Sequence, residues 1–161
     1  MIEFESFEDN PAARWTYVAD GVMGGVSEGQ IRFAETDDGP AVHLSGEVST
    51  ENNGGFIQVR RRFDGGWPAT ASGLSIRVRG NGETYYIFLR THGLARVWFS
   101  YRFAFRAEEA WRDIDMPFSQ FTPSHPGMPA DFDPALARGI GLVAYGDDYE
   151  ADIWLSRVSL Y

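Results

Sequence analysis

The sequence predicts an all-β protein that folds as a single-domain β-sandwich of the jelly-roll type. Three observations support this prediction: short runs of alternating apolar and polar residues recur along the chain, 18 glycines and 8 prolines separate them, and 12 Phe, 7 Tyr and 5 Trp are available for a core. Because successive side chains of a strand point to opposite faces, each run can bury one side. At 161 residues the chain has the length of one domain, which we place over residues 1–161.

The strands are predicted from these runs in chain order. Apolar and polar residues alternate over 31–33, 42–44, 57–62, 74–79 and 85–90. The longest alternation, residues 96–106, has Val97 on its apolar face and predicts one long strand. Residues 140–145 carry no charge, which predicts a strand covered on both faces. In the last strand the apolar residues change phase between Leu155 and Val158, which predicts a β-bulge.

Turn residues separate the predicted strands. Asn81-Gly82 lies between two alternating runs and predicts a β-hairpin, because this dipeptide suits a two-residue hairpin turn. Short helical turns are predicted at 118–121 and 134–138. The second has Asp133 as a capping residue and Pro134 in its first turn.

The composition excludes several kinds of chemistry. The chain has no Cys and no Lys, so thiol catalysis, disulfides and Schiff-base chemistry on lysine are excluded. A net charge of −9 and a pI of about 4.7 argue against nucleic acid as a partner. The acidic N-terminal segment does not resemble a targeting signal, and no apolar run approaches the roughly 20 residues of a spanning helix. We therefore expect a soluble, cytoplasmic protein without a transmembrane segment.

Catalytic and metal-binding patterns are weak. The three histidines are far apart and lack metal-ligand spacing, which favours surface positions. They are His43, His92 and His125. Asp113 and Asp115 share one strand face, as a glycosidase pair could, but solvated carboxylates are the commoner arrangement. The acidic turn at 147–152 could offer oxygen ligands to a cation, although its spacing matches no established calcium loop. We predict no catalytic residue, no metal and no cofactor.

The outward sides of the predicted strands concentrate arginine and aromatic residues. They are Gln58, Arg60, Arg62, Arg77, Arg79, Tyr86, Phe88, Arg90, Arg96, Trp98 and Arg102. Guanidinium groups stack on rings and pair with carboxylates, so one such face would suit an acidic protein partner or a sugar. The alternative interpretation is that cross-strand Arg–aromatic and Arg–carboxylate pairs only decorate an exposed sheet.

The segment 15–27, WTYVADGVMGGVS, combines a strand with a glycine-rich reversal. Its backbone N–H groups could form an anion-binding nest. The alternative, which the chemistry favours, is a tight connection that closes one end of the sandwich with Val22 and Met23.

Four ordered blocks of the chain form a more specific pattern. They are 15–27, 46–56 (GEVSTENNGGF), 78–85 (VRGNGETY), and Trp111 with 116–121 (MPFSQF), and Ile140-Gly141-Leu142 before a last strand completes them. Over nearly the whole chain this pattern resembles the complex I intermediate-associated protein 30 family. Two positions depart from the family: Asn81 stands where Asp is usual, and His125 precedes Pro126-Gly127 where Arg before Gly is common.

The resemblance implies a jelly roll of the galactose-binding-domain-like type and a role in protein contacts rather than catalysis. Mitochondrial members assist the assembly of respiratory complex I, so the implied function is chaperone-like binding of a partner such as a respiratory-complex subunit or assembly intermediate. Candidate contact residues in the family-motif loops are Asp20, Gly21, Met23, Gly24, Gly25, Ser27, Asn52, Asn53, Gly54 and Gly55. The alternative function is a carbohydrate-binding module that uses the Arg and aromatic face. A hydrolase based on Asp113 and Asp115 is the third hypothesis.

Overall fold

The computed structural model describes residues 1–53 and 55–161, leaving the side chains of Val22, Met23 and Asn53 outside the description. The chain forms two antiparallel six-stranded sheets that face each other across one hydrophobic core. This confirms the predicted all-β sandwich. None of the described helical turns, each three or four residues long, could cross a membrane.

The strands of each sheet come from distant parts of the chain. Sheet I consists of β1 (Ile2–Glu5), β3 (Glu28–Thr36), β4 (Gly39–Val48), β6 (Gly73–Arg79), β9 (Arg112–Pro117) and β12 (Tyr149–Leu160), in the order β3-β4-β12-β6-β9 with β1 also on β12. Sheet II consists of β2 (Trp15–Ala19), β5 (Phe56–Arg62), β7 (Thr84–Thr91), β8 (Tyr101–Arg106), β10 (Thr122–Pro123) and β11 (Ala137–Tyr145), in the order β10-β8-β7-β11-β5-β2.

The inward side chains of both sheets fill the core at alternate positions. Leu44 and Ile153 of sheet I and Ile87 and Leu142 of sheet II are each fully buried. Burying a side chain of this kind stabilises the fold by roughly 1.5–3 kcal/mol. One end of the core is aromatic: Trp67 lies 5.3 Å from Phe63 and 5.9 Å from Phe118 between ring centroids.

Several local predictions are confirmed. The uncharged run at 140–145 is part of β11, whose residues from Gly139 to Ala144 are all buried between β7 and β5. The predicted bulge appears as a register shift between Leu155 and Arg157 against β6. Both helical turns exist as 3-10 turns, Phe118–Gln120 and Pro134–Leu136. Asp133 caps the second by accepting a hydrogen bond from the Ala135 N–H at 3.0 Å.

The long strand predicted over residues 96–106 is wrong in its first half. Strand β8 begins at Tyr101, which is the last residue paired with β7, and residues upstream form a loop. Val97, predicted on the apolar face, is 83% exposed. In that loop Phe99 stacks on His125 with ring centroids 4.7 Å apart. The apolar residue at this position of the alternating pattern therefore packs within a loop and not in a β-ladder.

The hairpin predicted at Asn81-Gly82 is also wrong, because β6 belongs to sheet I and β7 to sheet II. The segment is a crossover between the two sheets, and the side chain of Asn81 joins it to neighbouring residues. The Asn81 amide donates to the Glu150 carbonyl at 2.9 Å and accepts from the Tyr85 hydroxyl at 2.6 Å. An aspartate could not donate the first of these hydrogen bonds, so Asn81 fits this crossover better than the residue usual in the family.

Candidate functional site

The predicted Arg and aromatic face is divided between the two sheets. Arg77 and Arg79 lie on β6 in sheet I, whereas Arg60, Arg62, Tyr86, Arg90 and Arg102 lie on β5, β7 and β8 in sheet II. Arg96 and Trp98 lie in the loop before β8. These residues therefore do not form one continuous face, since alternation places a side chain outward without assigning its strand to a sheet.

A trough runs along β11 on the outward side of sheet II. Gly139 lies between Arg90 of β7 and Arg62 of β5 in the ladder, and Gly141 lies next to Arg60 of β5. Since neighbouring strands are about 4.8 Å apart, the two walls of the trough are roughly 10 Å apart. The cavity has a volume of about 290 Å³. Its lining consists of Gln58, Arg60, Arg61, Arg62, Phe88, Arg90, Val97, Arg138, Gly139, Ile140 and Gly141.

The two glycines create the trough by lacking side chains. A Cβ atom at Gly139 would meet its nearest neighbour, the Arg90 Cβ, at an ordinary 3.6 Å. Packing therefore does not require glycine at this position, and any larger side chain would occupy the trough. A Cβ at Gly141 would lie 3.0 Å from the Gln58 Oε1, which is tighter.

Four arginines surround the trough and its neighbouring strand: Arg60, Arg62, Arg90 and Arg102. Within residues 1–53 and 55–161, none of them forms an ion pair with a carboxylate. Burial, together with the charges of Arg60, Arg62 and Arg102, lowers the pKa of Arg90 to about 10. Burial followed by the charge of Arg62 also lowers the pKa of Arg60. An anion between these side chains would relieve their mutual repulsion.

Arg77 and Arg79 of sheet I have partners within the protein. Arg77 pairs with Asp38 at 2.8 Å and with Asp113 at 3.4 Å, and its hydrogen bond to Asp38 raises the pKa of Arg77. The Arg79 guanidinium lies 5.3 Å from the Trp111 ring centroid. The decorative interpretation therefore applies to Arg77 and Arg79, whereas in the described part of the chain Arg60, Arg62 and Arg90 of sheet II have neither a carboxylate nor a ring as partner.

A group of aromatic side chains borders the trough toward the C-terminal end of β11. Tyr86, Phe88 and Tyr145 pack edge to face, with centroids 5.3–6.1 Å apart. The Arg102 guanidinium lies 4.2 Å from the Phe88 centroid and 5.3 Å from that of Tyr145. Phe88 is only 7% exposed, so little of its ring is free to stack on a ligand. Trp98, beside Val97 in the loop, is 55% exposed.

The family-motif loops meet at a buried carboxylate. Asp20 is fully buried and accepts hydrogen bonds from the backbone N–H groups of Ser27 at 3.0 Å, Gly55 at 2.6 Å and Phe56 at 3.3 Å, as well as from the Ser27 hydroxyl. Burial raises the pKa of the Asp20 carboxyl, but these hydrogen bonds outweigh it, so the pKa is lowered overall. Within the segment 15–27, the Ser27 N–H donates to this carboxylate and the Gly24 and Gly25 N–H groups donate to backbone carbonyls of the same loop, which favours the tight connection over an anion nest.

The glycines around Asp20 have distinct roles. Gly24 has a φ of +83°, a backbone conformation that disfavours other residues. Gly25 provides room, because a Cβ there would lie 2.5 Å from the Asp20 Cγ. Asn52 also has a positive φ of 57°. A Cβ atom added at Gly21 would have no neighbour within 4 Å, so packing does not require glycine there. Gly54 and the side chains of Met23, Val22 and Asn53 lie outside the described residues.

The candidate hydrolytic and metal-binding residues do not assemble into a site. Asp113 is 53% exposed and pairs with Arg77 and Arg157 on the outside of sheet I. In the acidic turn, Asp148 accepts hydrogen bonds from Thr50, and Asp152 pairs with His43 at 2.6 Å. In the part of the chain that is described, no group of three or more His, Asp or Glu side chains could hold a metal ion.

The sequence pattern did not predict two features of the structure, the trough on sheet II and the buried carboxylate of Glu5. The trough was missed, although the alternation of Gly139 and Gly141 with Ile140 in an otherwise apolar strand was a visible signal. The second is Glu5, a buried carboxylate in β1 that contacts Arg14, Arg61 and Trp15. No local pattern marks Glu5, since these partners come from two other segments, residues 14–15 and strand β5.

The comparisons with known proteins agree with this architecture. The chain is similar to the family 11 carbohydrate-binding module of the cellulosomal cellulase Lic26A-Cel5E of Clostridium thermocellum, with a TM-score of 0.82 and 14% identity over 98% of this chain and 92% of that one. A structure of the Clostridium thermocellum module with a β-1,3-1,4-mixed-linked tetrasaccharide gives the same TM-score and identity over 99% and 94%. A module titled CBM4 matches with a TM-score of 0.58 and 14% identity over 97% of each chain.

These structural likenesses confirm the jelly-roll fold. No protein of curated function matches the chain in sequence. The family profile of Complex I intermediate-associated protein 30 matches residues 2–155, which is nearly the whole chain. The chain therefore belongs to the Complex I intermediate-associated protein 30 family, as its four sequence blocks had indicated.

Proposed function

We propose that this chain is a non-catalytic binding domain that holds a partner protein on the outward face of sheet II. The observation that carries this proposal is that Arg60, Arg62 and Arg90, which have no carboxylate partner among the described residues, line a trough of about 290 Å³. Cations gathered in this way repel one another, and an external anion bound between them lowers this electrostatic cost. Membership of a family named for association with an assembly intermediate supports a protein as that partner.

The rim of the trough also suits a protein partner. Val97 is 83% and Trp98 55% exposed, and both lie in the loop before β8. An exposed aromatic residue beside arginines is the composition enriched in protein interfaces. Asp20 joins the family-motif loops at 20–27 and 52–56 by hydrogen bonds to Ser27 and Gly55. In this proposal the two loops therefore stabilise the fold and do not contact the partner.

A charge reversal tests the proposal. The double variant Arg60→Glu/Arg90→Glu is expected to lower recovery of the partner from native lysate about tenfold or more, because reversed charges repel an acidic partner. The partner is identified by mass spectrometry, and a photo-crosslinking residue at Val97 should label the same protein. Arg112→Glu, an exposed charge reversal on sheet I, is the control and should leave recovery unchanged. Equal recovery of the partner by wild type and double variant would refute this face as the binding site.

A carbohydrate-binding module is the second candidate. It is favoured by the exposed Trp98, next in sequence to Val97 of the trough lining, and by the fold shared with a module solved together with a tetrasaccharide. Under this proposal Trp98→Ala should abolish binding to at least one glycan, since ring stacking supplies much of sugar recognition. A glycan array on which wild type and variant both remain at background would eliminate it.

A further inference from the structure

We infer that the trough binds an extended acidic peptide segment of the partner, with carboxylates paired to Arg60 and Arg62 on one wall and to Arg90 on the other. This inference rests on the proposed function and names the part of the partner that is recognised.

The spacing of the arginines matches an extended chain. Arg60 and Arg62 are two residues apart on β5 and point outward together, which separates their Cα atoms by about 6.7 Å. In an extended peptide, side chains i and i+2 are separated by the same distance and point the same way. Arg90 faces Arg62 across Gly139, so it can reach a carboxylate from the opposite wall.

The floor of the trough can accept a peptide backbone. Gly139 and Gly141 present no side chain, and the walls stand about 10 Å apart, two interstrand spacings. The peptide would therefore lie along β11, with carboxylates directed to the arginines on either side. Gln58, a polar side chain that also lines the cavity, can hydrogen-bond to the peptide backbone at one end.

The charge balance favours an acidic peptide over a neutral sugar. Covering the trough with a neutral chain would remove water from the arginines without supplying a counter-charge, which is unfavourable. A carboxylate instead offers each guanidinium two acceptor oxygens in a matching geometry. The aromatic rings nearest the trough, Phe88 and Tyr145, are already engaged, since Arg102 lies over Phe88 and contacts Tyr145.

The first experiment measures the anisotropy of a fluorescent ten-residue peptide that carries consecutive Glu residues, whose side chains point alternately to the two walls of the trough. The matched control peptide carries Gln in place of Glu. We expect the Glu peptide to bind wild-type protein at least about tenfold more tightly, because charge-assisted hydrogen bonds to guanidinium are lost in the control. Raising salt from about 50 to 200 mM should weaken binding severalfold, since the pairs are partly exposed. Equal binding of the two peptides would overturn the inference.

Two protein variants locate the binding site. Gly139→Leu should abolish binding of the Glu peptide by filling the trough, and Arg90→Gln should weaken it about tenfold by removing one charge. Arg112→Gln on sheet I is the matched control and should bind like wild type. Thermal melts check that both variants fold. If either variant folds and binds the peptide as tightly as wild type, the inference is overturned. One folded variant is therefore enough for the test.

The last comparison separates the acidic peptide from an acidic polysaccharide. Polygalacturonate offers carboxylates on sugar rings, and it should compete for the site more weakly than the Glu peptide at equal carboxylate concentration. Competition about tenfold stronger than the peptide would assign the trough to a polysaccharide and overturn the inference. If the lysate partner depends on Arg60 and Arg90 but neither peptide binds, this inference fails and the proposed function stands. If the peptide binds but the double variant recovers the lysate partner as well as wild type does, the proposed function fails instead.

Discussion

Replacing Asp20 with asparagine is expected to lower the free energy of unfolding by about 3 kcal/mol. The Asp20 carboxylate is fully buried and accepts four hydrogen bonds, which join the loop before Ser27 to the loop before Phe56. An asparagine side chain has one oxygen and one NH2 group, so its NH2 group would face donors such as the Gly55 N–H. The variant leaves buried N–H groups unpaired without creating a cavity.

The change in stability is measured by urea denaturation and by the melting temperature. For a chain of this size a loss of about 3 kcal/mol corresponds to a fall in Tm of roughly 6–12 °C. Gly25→Ala should act in the same direction, because its Cβ would lie 2.5 Å from the Asp20 Cγ. Asp64→Asn, an exposed aspartate in a turn, is the matched control and should change Tm by little. An unchanged Tm in the Asp20 variant would show that the carboxylate does not hold these loops.

Replacing Glu5 with glutamine is expected to destabilise the protein by about 3–4 kcal/mol at neutral pH. Glu5 is 3% exposed and accepts hydrogen bonds from Arg14 at 2.8 Å, from the Trp15 indole at 2.7 Å and from Arg61 at 3.1 Å. Glutamine keeps one acceptor but removes the charge, so both guanidinium groups lose their counter-ion. Arg61 is partly buried, which makes that loss costly.

The Glu5 cluster also restrains a turn with an unfavourable backbone. Phe7, Asp9 and Asn10 all have positive φ, at 61°, 55° and 62°. The Glu5 carboxylate accepts from the Phe7 N–H at 2.8 Å, and Arg14 donates to the Asp9 carbonyl at 2.8 Å. Such conformations persist only where surrounding contacts impose them, so the loss of Glu5 should also loosen this turn. Faster amide exchange at 7–10 in the variant would report it.

The pH dependence of stability provides a second measure of Glu5. Burial raises the pKa of the Glu5 carboxyl, but hydrogen bonds from Arg14, Trp15 and Phe7 outweigh it and the pKa is lowered overall. A carboxyl whose pKa is lower in the folded state stabilises fully above its unfolded pKa of about 4.3, and this contribution disappears as pH falls through the folded pKa.

The stability difference between wild type and Glu5→Gln should therefore be largest at pH 7 and shrink below about pH 4. Urea denaturation at several pH values measures it. Glu8→Gln, an exposed neighbour in the same segment, is the control and should follow wild type throughout. A difference that stays constant down to pH 3 would show that the Glu5 charge does not contribute.

Much of the fold could be predicted from the chain alone. Alternation of apolar and polar residues identified the core strands, and the uncharged run at 140–145 identified the covered strand β11. These predictions hold because each depends on residues that are neighbours in sequence. The loop at 92–100 misled the same rule, since Val97 alternates correctly but has no strand partner.

The binding face shows where local pattern stops being informative. The sequence determined that the domain is all-β, that the arginines point outward and that the family loops contain an aspartate among glycines. Only the tertiary structure decided that Arg77 and Arg79 lie on one sheet with Asp38, while Arg60 and Arg90 lie on the other without a counter-charge. The reason is physical: alternation fixes which side of its strand a residue occupies, whereas the sheet a strand joins depends on hydrogen bonds to strands far away in sequence.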